Sequence, residues 1–154
     1  MNWSKDFLKR LDKEVEEFKE DSVFLEAEGK NPDTMRFLFC IGDTTDNMAV
    51  MDVAVYQMES GVQMLQYYTV VVTDVADEAL PTLMSHINKL NLPVPVGAFG
   101  YFEEEHQVYH KYSMIVEEPA DMDTFVRHSA SNIAFILNIL DSCCEGLYGA
   151  AGQA

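Results

Sequence analysis

The sequence predicts a single α+β domain in which helices pack mainly on one face of a five-stranded antiparallel sheet. Apolar residues recur at helical spacing over residues 80–90, and two prolines then end that helix. Two strand-like runs follow at residues 96–103 and 107–116, and the acidic residues between them indicate a short exposed turn. A connection this short favours a hairpin, because parallel strands need a longer crossover.

Three more strand-like runs occupy residues 35–41, 48–58 and 62–75. Their short connections predict an antiparallel meander. The first connection, GDTTDN at 42–47, has some features of a calcium loop, but the glycine and the final glutamate of that loop are missing, so we interpret it as a turn. The second is a tight turn around Ser60. The run at 62–75 has no clearly polar face, which predicts a central strand or a second covered face.

Helices are predicted at both ends of the chain, which gives the element order α-β-β-β-α-β-β-α. The first has an apolar stripe and Ser4 as its N-cap, and residues 23–27 could extend it or form a short strand. The last begins at an Asp121 or Asp123 cap and is broadly apolar. Glycines at 146 and 149 are expected to end it and leave a frayed tail over about 146–154 of the single domain 1–154. Its main apolar stripe predicts core residues Met122, Phe125, Val126, Ile133, Ile136, Leu137 and Leu140.

The chain is strongly acidic, with 26 Asp and Glu against 10 Lys and Arg, a net charge of −16 over 154 residues. A nucleic-acid binder needs clustered cations, and the four at positions 5–13 are interleaved with acidic residues. We therefore expect no nucleic-acid partner. Most of the acidity is typical of a soluble surface, and a basic protein partner is the alternative.

We also expect a cytoplasmic protein with no membrane partner. No run of about 20 consecutive apolar residues is present, and the N-terminal residues are charged where a signal peptide would be apolar. The three cysteines, Cys40, Cys143 and Cys144, are an odd number with one adjacent pair, which is a poor disulfide framework.

The residues that could carry chemistry do not form a recognisable site. Cys143 and Cys144 point about 100° apart on a helix, so they cannot converge on one ligand. His106 and His110 could approach each other but have no third ligand at a metal-binding spacing. We therefore assign no catalytic, cofactor-binding or metal-binding residue. A small metal-dependent or thiol-dependent hydrolase is the alternative to a binding protein.

The segment INKLNLPVPVGAFGYFEEEHQVYHKYSMIV, with the order of elements, resembles the YbjN-like bacterial proteins, described as sensory-transduction regulators. In that family a helix ends in an Asn-Leu-Asn-like segment, followed by a Gly-x-Phe strand and a Tyr-x-Tyr-like strand. The matching positions here are 88–92, 97–99 and 109–112. The resemblance implies a fold similar to that of type III secretion chaperones, often dimeric. It also implies a chaperone-like or regulatory role through protein binding, with no catalytic residue.

We expect a homodimer and an unidentified protein partner. Along residues 97–102, Phe99 and Tyr101 point to one face, while Ala98 and Phe102 point to the other. The protein's own helices can most simply cover one face only. Ala98 and Phe102 are therefore the predicted interaction surface, which a second copy would cover.

Overall fold

The computed structural model describes residues 2–42, 46–59 and 61–153, and within them the chain forms three α-helices and six β-strands. Residues 43–45 of the predicted GDTTDN turn, and Ser60 of the second predicted turn, lie outside the described residues. In chain order the elements are α1 (Trp3–Glu14), β1 (Asp21–Leu25), β2 (Thr34–Cys40), β3 (Met48–Gln57), β4 (Gln63–Val72), α2 (Leu80–Leu90), β5 (Ala98–Phe102), β6 (Gln107–Val116) and α3 (Met122–Ala150).

The six strands form one sheet in the order β1-β2-β3-β4-β6-β5, and every neighbouring pair is antiparallel. The α+β class and the antiparallel pairing are confirmed. The predicted number of five strands is wrong, because residues 21–25 pair with β2 as a sixth, edge strand. This run is short and has only three apolar residues, so its conformation depends on pairing with β2 rather than on a local pattern.

All three helices contribute to a core on one face of the sheet. α3 supplies the central stripe, in which Ile133, Ile136 and Leu140 are completely buried. It is also hydrogen-bonded to the end of β4, since the Tyr148 hydroxyl donates to the carbonyl oxygen of Val71 over 3.1 Å. α1 packs beside α3. Among the described residues, no helix lies on the opposite face of the sheet.

α3 has 29 residues and, by length and composition alone, is apolar enough to cross a membrane. The sequence has no unbroken apolar run of this length, because Ser and Asn residues interrupt the helix. Its hydropathy averaged over 18 residues is nevertheless high. A core helix passes the same test, and the buried stripe of α3 fills the core below the sheet.

The helix starts are fixed by side chains near the predicted caps. Asn2, rather than Ser4, is the N-cap of α1, and its side-chain oxygen accepts from the Ser4 amide over 3.0 Å. Ser4 is instead buried, and its hydroxyl donates to the Asp33 carboxylate over 3.1 Å. For α3, the Asp121 cap is confirmed, since the Thr124 amide donates to its carboxylate over 3.2 Å.

The C-terminal end of α3 differs from the prediction, since the helix continues through both glycines to Ala150. A Cβ atom at Gly146 would lie 3.2 Å from the His86 ring of α2, so this glycine allows the two helices to approach closely. The expected frayed tail is instead held at Gln153, whose side-chain amide donates to the Thr73 carbonyl over 2.7 Å. These tertiary contacts offset the poor helix propensity of glycine.

The edge strand β5 is held by side chains from the segment that resembles YbjN-like proteins. Asn91, the C-cap of α2, donates to the Phe99 carbonyl over 2.8 Å and accepts from the Phe99 amide over 2.7 Å, as a neighbouring strand would. The buried His110 ring lies beneath Gly97, where a Cβ atom would be 2.7 Å from it. The His110 Nε2–H donates to the Val96 carbonyl over 2.8 Å, and burial lowers the pKa of this histidine, which favours the neutral ring.

We predict that Asn91→Ala lowers the free energy of unfolding by about 1–3 kcal/mol, because the Phe99 backbone loses both hydrogen bonds of this pair. Urea unfolding followed by circular dichroism measures the change. Asn88→Ala is the matched control, since Asn88 is an exposed residue of the same helix, and it should change the stability by less than about 0.5 kcal/mol. Equal effects of the two substitutions would contradict the role given to Asn91.

Candidate protein-interaction surface

The face of the sheet opposite the helices, here called the open sheet face, contains a groove of about 880 Å³. It is built from the strand positions whose side chains point away from the core. One row of paired residues crosses all six strands and reads, from β1 to β5, Val23, Arg36, Asp52, Tyr68, Lys111 and Ala98. The neighbouring rows add, among others, Leu38, Val50, Val70, Tyr109, Gln66, Phe102 and Gln107.

The open sheet face is close to neutral, although the chain is strongly acidic. The six strands contain four formally charged residues, Asp21, Arg36, Asp52 and Lys111, which are two acids and two bases. Arg36 and Asp52 form a bidentate ion pair, with distances of 2.8 Å from Nε to Oδ1 and 2.9 Å from Nη2 to Oδ2. The Asp52 carboxylate raises the pKa of Arg36. The strands therefore have no net formal charge, and the whole net charge of −16 lies outside them.

Two aromatic rings lie near the middle of the groove. Tyr68 of β4 and Tyr109 of β6 are stacked, with ring centroids 4.9 Å apart and an angle of 26° between the planes. Tyr109 needs space on its β5 side, and Gly100 provides it, because a Cβ atom there would overlap the Tyr109 hydroxyl. Stacked tyrosines give a rigid apolar contact surface with polar tips, which is common in protein interfaces.

The two residues predicted for the interaction surface lie on this face. Ala98 is exposed, and Phe102 keeps 40% of its surface in water. Their neighbours Phe99 and Tyr101 point to the helices, where Phe99 is buried with its ring edge-on to His110, centroids 5.1 Å apart. The orientation read from the strand period is confirmed, and the interaction itself stays a prediction.

Sequence reasoning missed the stacked tyrosines and the Arg36–Asp52 pair. The apolar character of both faces of β4 was a signal for Tyr68, and it correctly indicated a central strand. The partners of Tyr68 and Arg36 depend on the strand register. Tyr109 is 41 positions from Tyr68 in the chain (109 − 68), and Asp52 is 16 positions from Arg36 (52 − 36). No local pattern encodes that register.

The candidate chemical residues do not converge. His106 is exposed and hydrogen-bonded to the Tyr101 hydroxyl over 3.2 Å, whereas His110 is buried under β5. Cys144 is buried, and Cys143 borders a separate apolar cavity. In the described part of the chain, no three His, Cys, Asp or Glu side chains are placed to hold a metal ion.

Comparison with known proteins identifies the fold. No protein-family model matches the sequence, and no curated protein matches it. Among solved structures, the chain is similar to YbjN from E. coli, described as a candidate transcription regulator, with a TM-score of 0.51 and 10% sequence identity over 90% of each chain. At this identity the likeness shows a shared fold. The resemblance to YbjN-like proteins is therefore confirmed at the level of the fold.

We predict that the cysteine thiols react slowly with a disulfide reagent at pH 7 in the folded protein. Burial is the main cause that raises the pKa of Cys40, Cys143 and Cys144, so little reactive thiolate is present at neutral pH. The rates should be lower than those of the urea-unfolded chain and should rise toward pH 10. A thiol that reacts faster in the folded protein than in the unfolded chain at pH 7 would contradict this prediction and favour a thiol enzyme.

Proposed function

We propose that this protein is a cytoplasmic, non-catalytic protein-binding module, regulatory or chaperone-like, and that the open sheet face is its binding surface. The main observation in support is that the open sheet face is not covered by a described helix and is close to neutral, in a chain of net charge −16. Four large apolar side chains of this face are 40% or more exposed: Val23, Met48, Phe102 and Ile115. Of these four, Phe102 lines the groove, where an exposed apolar side chain is available to a partner.

The shape of the open sheet face favours a different protein over a second copy. A two-fold dimer on this face would place two identical grooves of about 880 Å³ opposite each other and leave space between them. A convex partner, such as the apolar side of a helix, would fill the groove better. Acidic side chains follow the strands at both ends, with Glu103–Glu105 after β5 and Glu117 and Glu118 after β6. We therefore infer a partner with an apolar centre and basic flanks.

The charge also affects how a regulator of this kind would act. The similar protein YbjN is described as a candidate transcription regulator. The net charge of −16 opposes direct contact with a phosphate backbone. If this chain regulates, we expect it to do so by binding another protein. The raised thiol pKa values support this reading over the thiol-dependent hydrolase.

We predict that Phe102→Asp abolishes capture of the partner, because complex formation would bury an unpaired carboxylate in the groove. Immobilised wild-type protein and variants are incubated with lysate of the source organism, and bound proteins are quantified by mass spectrometry. Met84→Asp is the matched control, since Met84 is 37% exposed and lies on α2 rather than on the sheet. The partner should fall about tenfold or more with Phe102→Asp and stay unchanged with Met84→Asp.

Circular dichroism should show both variants folded, because each side chain is partly exposed. Equal capture by wild type and Phe102→Asp, or equal loss with Met84→Asp, would contradict the assignment of the open sheet face.

A further inference from the structure

A second apolar surface lies on the helical side of the molecule, where the connection after α2 meets α3. It contains a cavity of about 340 Å³, lined by Leu90, Pro93, Val94, Phe135, Ile139 and Cys143. Apolar cavities of about 150 Å³ already accept a molecule as large as benzene. This one has room for a branched aliphatic side chain. We call this surface, with the adjoining Leu92, the α3 patch.

The α3 patch also carries an exposed apolar side chain, that of Leu92, which is next in the chain to the cavity wall. Leu92 is 86% exposed, more than any other large apolar residue that the structure describes, and it is followed by Pro93 of the cavity wall. Its position is well defined, because Asn91 before it is hydrogen-bonded twice to Phe99 and the proline after it restricts the backbone. Phe135 of α3, 46% exposed, forms part of the same surface.

Low charge allows another acidic molecule to approach the α3 patch. Between Arg127 and Asp141, α3 has no Asp, Glu, Lys or Arg over 13 consecutive residues, 128–140. The exposed positions of that stretch include Ser131, Ala134 and Asn138, which are small or neutral. Two chains of charge −16 repel each other least where their contact surfaces are uncharged.

We propose that a second copy of this chain binds at the α3 patch, with Leu92 of each copy inserted into the cavity of the other. A two-fold interface uses the same patch on both copies, so the patch must carry a projection and a matching cavity side by side. Leu92 and its neighbouring cavity meet that requirement within one surface. The interface lies on the helical side, so both open sheet faces remain available, and this proposal does not depend on the proposed function.

Light scattering at micromolar concentration tests the dimer. Wild-type protein should have twice the 17.4 kDa chain mass, and Leu92→Asp should shift it toward the single-chain mass with an unchanged circular-dichroism spectrum. Ile115→Asp is the matched control, since Ile115 is also strongly exposed, at 63%, but lies on the open sheet face. It should leave the mass doubled. A monomeric wild type, or a dimer broken by Ile115→Asp and not by Leu92→Asp, overturns the proposal.

A designed cross-link tests the insertion of Leu92 into the cavity. In Leu92→Cys, the new thiol should lie beside Cys143 of the other copy. Oxidised glutathione should then oxidise the two thiols to a disulfide and itself be reduced to two molecules of glutathione. Non-reducing electrophoresis should then give a band of doubled mass. Leu92→Cys with Cys143→Ser should give much less of it. No band of doubled mass, or an equally strong band without Cys143, overturns this arrangement.

Discussion

One layer of three helices covers a six-stranded sheet in this protein, and that layer lies on a single face. Each strand therefore has one set of side chains in the core and one set on the open sheet face. The difference is large in β3, where Met51 and Val53 are fully buried while Asp52 between them takes part in a surface ion pair. The uncovered face follows from this arrangement, and the proposed function depends on it.

Two surfaces of low charge differ in shape, and the difference in shape suits them to different partners. The open sheet face is a near-neutral groove with stacked tyrosines and acidic residues at the strand ends, which suits a convex partner with basic flanks. The α3 patch carries a projecting leucine and a cavity side by side, which suits a second copy. Asn91 connects the two surfaces. Its hydrogen bonds to Phe99 hold β5 at the edge of the open sheet face, and they also fix the backbone next to Leu92 of the α3 patch.

Local sequence patterns predicted much of this fold but not the contacts between distant segments. The strand period correctly placed Ala98 and Phe102 on the face opposite Phe99, and the apolar stripe of residues 122–140 correctly indicated a core helix. β1 was left open because its five residues form a strand only by pairing with β2. α3 extends past Gly146 because the helix packs on His86, which the glycine itself does not encode. The tyrosine stack and the Arg36–Asp52 pair require the sheet register.

The central claim is that a second copy occupies the α3 patch while the open sheet face stays in water. Hydroxyl-radical footprinting of the purified protein, read residue by residue by mass spectrometry at a concentration where it is dimeric, measures this directly. We expect fast oxidation of Phe102 and Tyr109 and slow oxidation of Leu92 and Phe135. For Phe135 the reference is the monomeric Leu92→Asp variant, in which this residue should be oxidised faster. Slow oxidation of Phe102 and Tyr109 with fast oxidation of Leu92 and Phe135 would contradict it.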